Sequence, residues 1–429
     1  MLETAKRAGL VGRRRVLDST ALYDAVATMD TVTLIRSAIR GLLDVCDADL
    51  EGELRGLLGR DDDYRQAGKP VCDYDDRAAR DALIDALAKD ARALLGALDG
   101  RELSDVVSKA AALLAAVVGQ DLDEDEDGVF RIARRVAKDR IISTVDPDAR
   151  HGRKTAARGF DGYKGHVAID PDSELITATT VTAGNLGDAQ PVEELLADDL
   201  IAATTSDEDT IPDQDADTPT DTNDASAEPA SEGDSDDSPP SERLSVYGDS
   251  AYGAGTVLDT LERADAEIMC KVQPPNAPGG RFAKDEFQID LDAGTVTCPA
   301  GQTAVVRAVK DGQVARFGQA CHGCPLAARC TTSTDGRTIH VGPHEQALTR
   351  ARARQTEPAW KADYTATRPK VERKIAHMMR RKHGGRRARV RGTPKVDADF
   401  NLLAAAVNIA RFAMLHLAST PDGWAVHTG

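Results

Sequence analysis

Apolar residues recur at helical spacing in TVTLIRSAIRGLL (31–43), DLEGELRGLL (49–58), ARDALIDALAKDARALLGAL (79–98) and LSDVVSKAAALLAAVV (103–118). That period predicts an all-α insertion over 23–140, with Cys46 and Cys72 as core and loop thiols. Ahead of it, RRRVLDSTAL (13–22) sets Val16 and Leu17 between three arginines and Asp18, a short strand ending on an acid. After Gly128 the period changes. FDGYKGHVAID (160–170) and ELITATTVT (174–182) are β-branched runs separated by Pro171, Asp172 and Ser173, which predicts an antiparallel hairpin. Asp188 reads as the cap of a helix through PVEELL. From Leu244 the order is strand, Asp249, a Gly-containing turn, a helix over 254–264 and a strand over 267–273. Short β runs with Gly turns fill 277–345. An apolar helix over 401–418 suits core packing, with Asn408 and Arg411 at the rim of a site.

A three-strand antiparallel part followed by parallel strands with helical crossovers predicts a mixed α/β sheet. The expected divisions are 1–22 (first strand of the core), 23–140 (helical insertion), 141–203 (core hairpin and helix) and 204–243 (linker). They continue with 244–276 (core), 277–345 (β-rich Cys-containing insertion), 346–420 (C-terminal helices with a basic stretch) and 421–429 (tail). No run of eighteen apolar residues exists, and the N-terminal MLETAKRAGLVGRRR lacks an apolar signal core, so a cytoplasmic location is expected.

Charge changes this picture because it is unevenly distributed. The chain of 429 residues carries a formal net charge of -17, and 14 of its acids lie between Asp207 and Glu242, where there is no Lys or Arg. That composition predicts a disordered acidic linker. Between Arg350 and Lys395 the balance reverses, with 16 Lys or Arg against three acids. A basic stretch of this kind suits phosphate binding or a solvated helix face.

Three isolated acids stand out: Asp18 after one strand, Asp249 after another and Glu372 inside the basic stretch. Phosphodiester cleavage with Mg²⁺ or Mn²⁺ needs carboxylates converging from separate elements. Singly, each acid could equally be a turn former or a helix surface residue. Asp146, in STVDPDARHG, is the rival first aspartate, but it precedes a proline in a polar stretch, whereas VLDST has an apolar run before the acid. Asp170 and Asp188 read as turn and cap residues. Among the seven cysteines, Cys298, Cys321, Cys324 and Cys330 include one C-x2-C pair, and they read either as a structural Zn²⁺ site or as reduced thiols of a small β-rich unit.

Taken in order, DST at Asp18, GYKGH with ITATTVTAGNLGD, YGDSAYG at Asp249, and Tyr364, Arg368 and Glu372 followed by RRARVRG resemble the DDE transposases of bacterial insertion sequences. The resemblance runs from about Arg13 to Leu417. It implies an RNase H-like fold with a helical or β insertion before the last acidic helix, with Asp18, Asp249 and Glu372 as catalytic Mg²⁺ ligands. Tyr364 and Arg368 match the first two positions of that family's Y-R-E-K signature and would contact the DNA end, although Tyr364 stands one residue farther from Arg368 than the pattern has. Met379 occupies the signature lysine's place, and Arg380, Arg381 and Lys382 follow it. Arg386, Arg387, Arg389 and Arg391 would pair with phosphates regardless of sequence. The implied partner is double-stranded DNA, both transposon ends and target, held by a homodimer. Few residues precede Asp18, so the resemblance also implies an N-terminally shortened chain. A stand-alone nuclease and an inactive DNA-binding remnant are the competing expectations.

Overall fold

The computed structural model describes all residues except 27, 134–136, 156–157, 206–242, 311, 422 and 427–429. The expected acidic linker falls almost wholly on 206–242, outside the described residues.

The first strand, β1 (Arg14–Tyr23), leads into four helices: α1 (Thr31–Asp44), α2 (Ala48–Arg55), α3 (Arg77–Leu98) and α4 (Asp105–Asp121). Each begins where a side chain accepts from an otherwise unpaired backbone N–H. Asp30 accepts from Thr33, Asp47 from Leu50 and Asp76 from Ala78, each at 2.9 Å, and Ser104 accepts from Val107 at 3.4 Å. Their apolar stripes close a separate core around Leu34, Ile39, Leu42, Leu87, Leu94, Leu114 and Val117. Inside it, buried Asp90 accepts from the Tyr64 hydroxyl at 2.6 Å and from the Gly59 N–H at 2.7 Å, so its charge has two donors.

The chain then returns to the sheet with β2 (Arg150–Thr155), β3 (Arg158–Ile169) and β4 (Ile176–Ala183), and later with β5 (Ser245–Gly248) and β6 (Glu267–Cys270). The strand order is β2-β3-β1-β5-β6, with β4 also on β3. One edge of β3 is shared: β2 pairs along Arg158–Gly162 and β4 along Tyr163–Ile169. The other edge runs antiparallel to β1, and β1 runs parallel to β5, as β5 does to β6. The sheet is mixed, as the sequence order predicts. β2 was not expected, because DPDARHG reads as a polar loop.

Side-chain alternation covers both faces. Val16, Val167, Tyr247 and Met269 point to one side, against Trp360, Val371, Met378, Phe400 and Val407. Leu17, Ala168, Val246 and Ile268 point to the other, against Leu258, Leu261 and Ala347. The covering helices are α5 (Gly255–Arg263) and α6 (Glu345–Arg354) on the second face, and α7 (Pro358–Thr367), α8 (Pro369–Met378) and α9 (Thr393–Met414) on the first. Between α5 and α6 lies a five-stranded antiparallel sheet: β7 (Gln288–Asp290), β8 (Thr295–Thr297), β9 (Thr303–Val309), β10 (Gly312–Arg316) and β11 (Thr338–Val341).

Glycine is required at Gly162, where three strands meet. Its φ is +138°, and a Cβ there would lie 2.2 Å from the Leu22 carbonyl oxygen. Two expectations shift. The last helix ends at Met414, not 418, because His416 adopts φ +55° and the chain turns into a hairpin of Leu417–Thr420 and Gly423–Val426. Asn408 and Arg411 are not at a site rim. Buried Asn408 bonds both the N–H and the carbonyl of Ile176, and Arg411 donates to the Ser173 carbonyl, so both fasten α9 to the sheet. Among the described residues no helix is long and apolar enough to cross a membrane.

His166, fully buried on β3, lies 2.8 Å from the Thr182 hydroxyl through Nε2, and burial pulls its imidazolium down to about 4. The unfolded chain protonates near 6.5, before the folded chain does, so stability falls as pH drops between those values. Urea unfolding should show a loss of about 2 kcal/mol from this group between pH 7 and pH 5, and His166→Gln should flatten that dependence. An unchanged slope in the variant would assign the pH effect elsewhere.

Candidate active site

Asp18 is in mid-strand, not at a strand end as expected. Parallel pairing of β1 with β5 stops at Val16, while β1 continues on β3 to Tyr23. The edge beyond Val16 that would face β5 is therefore unpaired, and Asp18 opens onto the notch so formed. Asp249 follows β5 directly, and its Oδ1 accepts from the Ala251 N–H at 2.9 Å, which shapes the YGDSAYG turn.

The third element is the α7–α8 junction. Pro369 interrupts the helical hydrogen bonding there, and Arg368 caps α7 through its N–H to Tyr364 O at 2.9 Å. Two contacts fix this junction against the sheet. Trp360 and Tyr364 stack at 4.8 Å, and the Tyr364 hydroxyl donates to the Gly248 carbonyl at 3.3 Å, one residue before Asp249. Arg14 Nη2 donates to Tyr247, Asp363 and Thr367 at 2.7, 2.8 and 2.9 Å, joining β1, β5 and α7.

These supports bring Arg368 between the three carboxylates. Its Nη2 lies 3.1 Å from Asp18 Oδ1 and 3.9 Å from Asp249 Oδ2, and its Nη1 lies 3.6 Å from Glu372 Oε1. The guanidinium is 7% exposed, whereas Asp18, Asp249 and Glu372 are 17%, 48% and 64% exposed, so the acids grade from the floor of the site to its mouth. Nε and Nη1 of Arg368 are buried without a hydrogen-bond partner. Burial pushes the Asp18 carboxyl above its ordinary value, and the Asp249 charge adds to this. Arg368 and the Ser19 N–H, donating at 2.8 Å, pull the other way without cancelling it.

The carboxylates line an open cleft of about 600 Å³. Lys154 and Arg158 from β2 and β3 form part of its lining, as does Arg386. The loop carrying Arg386 is stitched to the end of β1: Tyr23 N–H donates to Arg386 O at 3.0 Å, and Ala388 N–H to Tyr23 O at 2.9 Å. Lys154 and Arg158 were not singled out from the sequence, although the basic run RHGRKTAAR was available as a signal.

The other expected site residues are placed as follows. Arg368 pairs with the carboxylates and is part of the cleft lining, and Tyr364 is half-buried in the stack just described. Arg380, Arg381 and Lys382 are exposed beyond α8 and outside the cleft lining, while Met379 is in it. Arg387 and Arg391 are exposed, and Arg389 pairs with Asp399 at 2.6 Å. Asp146 is fully buried away from Arg368, accepting from the Tyr163 hydroxyl at 2.7 Å and the Gly392 N–H at 3.2 Å. Asp170 is a turn residue, accepting from Asp172 and Ser173. Asp188 is no cap: it accepts from Lys164 at 2.7 Å and from the Ser19 hydroxyl at 2.8 Å, next to Asp18.

Three hard oxygen donors, one of them disfavoured in its charged form, suit a small divalent cation in donor chemistry. In this arrangement the central place belongs to Arg368, and among the described residues no three His, Cys, Asp or Glu side chains stand ready to hold a metal ion.

Residues 297–413 match the family model described as a transposase DDE domain, which supports a DDE transposase. The match includes Arg368 and Glu372, and Asp18 and Asp249 lie outside it. No curated protein and no solved structure matches the chain.

Arg368→Met should destabilise the fold by about 3 kcal/mol at pH 7, because three carboxylates lose the cation between them. Asp18 would rise further, so the deficit should shrink as acid protonates it. Urea unfolding across pH measures this, and a deficit independent of pH would deny the charge origin.

Proposed function

We propose that this chain is a DDE transposase that cleaves insertion-sequence ends and joins them to target DNA by in-line phosphoryl transfer. The observation that carries this reading is the gathering of Asp18, Asp249 and Glu372 around one guanidinium at the base of a cleft with basic lining residues. The family match over 297–413 and the mixed sheet, which accords with an RNase H-like core, support it.

In this reading Asp18, Asp249 and Glu372 hold Mg²⁺ or Mn²⁺, which when bound supplies positive charge to the phosphodiester undergoing displacement. Asp18 and Asp249, on elements locked into the sheet, keep the donor set fixed. Glu372, the most exposed of the three, adjusts on the turn of α8. Arg368 limits repulsion between the carboxylates before DNA arrives. Lys154, Arg158 and Arg386 hold backbone phosphates over them, and the exposed bases from Arg380 to Arg391 extend the contact along double-stranded DNA. Joining two ends calls for two copies of the chain on one DNA complex.

A pre-cleaved end and a supercoiled target, incubated with Mg²⁺ or Mn²⁺, test the assignment. Asp249→Asn and Glu372→Gln should each lower cleavage and joining by about 10³-fold while thermal unfolding stays near that of the parent chain. Unaffected cleavage in Asp249→Asn would end the carboxylate reading. Cleavage without joining assigns a nuclease, and salt-dependent binding without cleavage assigns a DNA-binding remnant.

The basic loop makes a separate demand. The double change Arg386→Ala and Arg387→Ala should weaken binding equally across DNA sequences and reduce the slope of log affinity against log salt by about 2. Filter binding over a salt series measures it, and an unaltered slope would remove these residues from the DNA contact.

A further inference from the structure

The five-stranded sheet β7–β11 packs a small core of Phe282, Phe287, Val296, Phe317, Ile339 and Val341. Two of its strands have three residues each, so it has little apolar area to hold itself together. At one end of this core stand four cysteines, all free. Cys298 follows β8, Cys321 and Cys324 flank Gly323, and Cys330 ends the short helix Ala327–Cys330.

Two of these positions share a local geometry. Gly301 N–H donates to Cys298 O at 2.8 Å, and Cys324 N–H donates to Cys321 O at 3.3 Å. Each turn contains a glycine with positive φ, +78° at Gly301 and +76° at Gly323, which lets the backbone fold tightly under a thiol. Cys321 Sγ already accepts from the Arg337 N–H at 3.3 Å.

All four thiols line one cavity of about 20 Å³, together with Phe282 and Phe317. Cys330 is buried within the core, and Cys298 and Cys321 pack against it half-buried. Buried thiols alone would serve as small apolar fillers. That role does not account for four of them reaching a single cavity from two turns and a helix end. Two nearby histidines have other neighbours: His322 Nε2 lies 3.2 Å from the Thr334 carbonyl, and His344 Nδ1 lies 3.9 Å from Asp259.

We propose that Cys298, Cys321, Cys324 and Cys330 bind one Zn²⁺ as thiolates and that the ion fastens the β7–β11 unit. The thiols are not in a closed ligand arrangement here. They close on the ion, releasing four protons, with the Arg337 N–H and guanidinium balancing the resulting negative charge.

The full-length chain, purified from zinc-supplemented culture, should contain about one zinc per chain, and Co²⁺ exchanged into it should show the visible bands of a tetrahedral thiolate site. Cys298→Ser and Cys324→Ser should each weaken zinc by more than about 100-fold, and chelation should lower the thermal midpoint and expose 282–341 to protease. Asp249→Asn should keep its zinc, which separates this site from the carboxylates. Zinc below stoichiometry, retention in both Ser variants, or a midpoint unmoved by chelation would each overturn the proposal. If the Ser variants do not fold, the Co²⁺ spectrum of the parent chain decides.

Discussion

Three carboxylates cannot share the end of a sheet without a cation among them. At an effective dielectric of 20, like charges 4 Å apart repel by about 4 kcal/mol, a large part of a domain's total stability. Arg368 meets this demand from a position that is itself expensive to hold. Its guanidinium is nearly buried, and two of its nitrogens lack hydrogen-bond partners. The surrounding structure explains how it is kept there. Trp360 and Tyr364 stack behind it, and Arg14 ties Tyr247 to Asp363 on the preceding helix. The α7–α8 junction cannot drift from β1 and β5 without breaking these contacts together.

The same arrangement sets the order in which the acids could change partners. Asp18 is held most closely, by both Arg368 and the Ser19 N–H, and its charge is disfavoured by burial. Glu372 is mostly exposed and only loosely paired. A divalent cation entering from the cleft would therefore meet Glu372 and Asp249 before Asp18. The repulsion among the acids is what would draw a cation in among them.

Much of the scaffold was legible because it rests on local rules. Periodicity marked the four N-terminal helices, and Asp30, Asp47, Asp76 and Ser104 cap them as their residue types suggest. The β3–β4 hairpin followed from two β-branched runs around Pro171. What escaped reading depends on residues far apart in the chain. β1 runs past Asp18 because β3, more than 140 residues later, supplies its partner. β2 looks like a loop until Gly162 lets it join the free half of β3. Arg368 matched a signature position that implied a DNA contact. Its place among the acids follows only from the packing of α7 against two strands. Asp188 reads as a cap, yet Lys164 and Ser19 claim it across the sheet.

The contrast between Asp18 and Asp146 shows what separates a structural acid from one open to chemistry. Both lie near β3, and neither motif alone decides between them. Asp146 receives hydrogen bonds from Tyr163 and Gly392, so it joins β3 to the start of α9, and both donors are neutral. Asp18 receives a guanidinium and faces an open cleft that Asp249 and Glu372 share. An acid with neutral donors in a closed pocket stabilises one conformation. An acid whose compensating charge comes from a neighbour shared with other acids can exchange that neighbour for a ligand. Local sequence does not distinguish the two cases, because the distinction lies in which charges the fold brings to the same place.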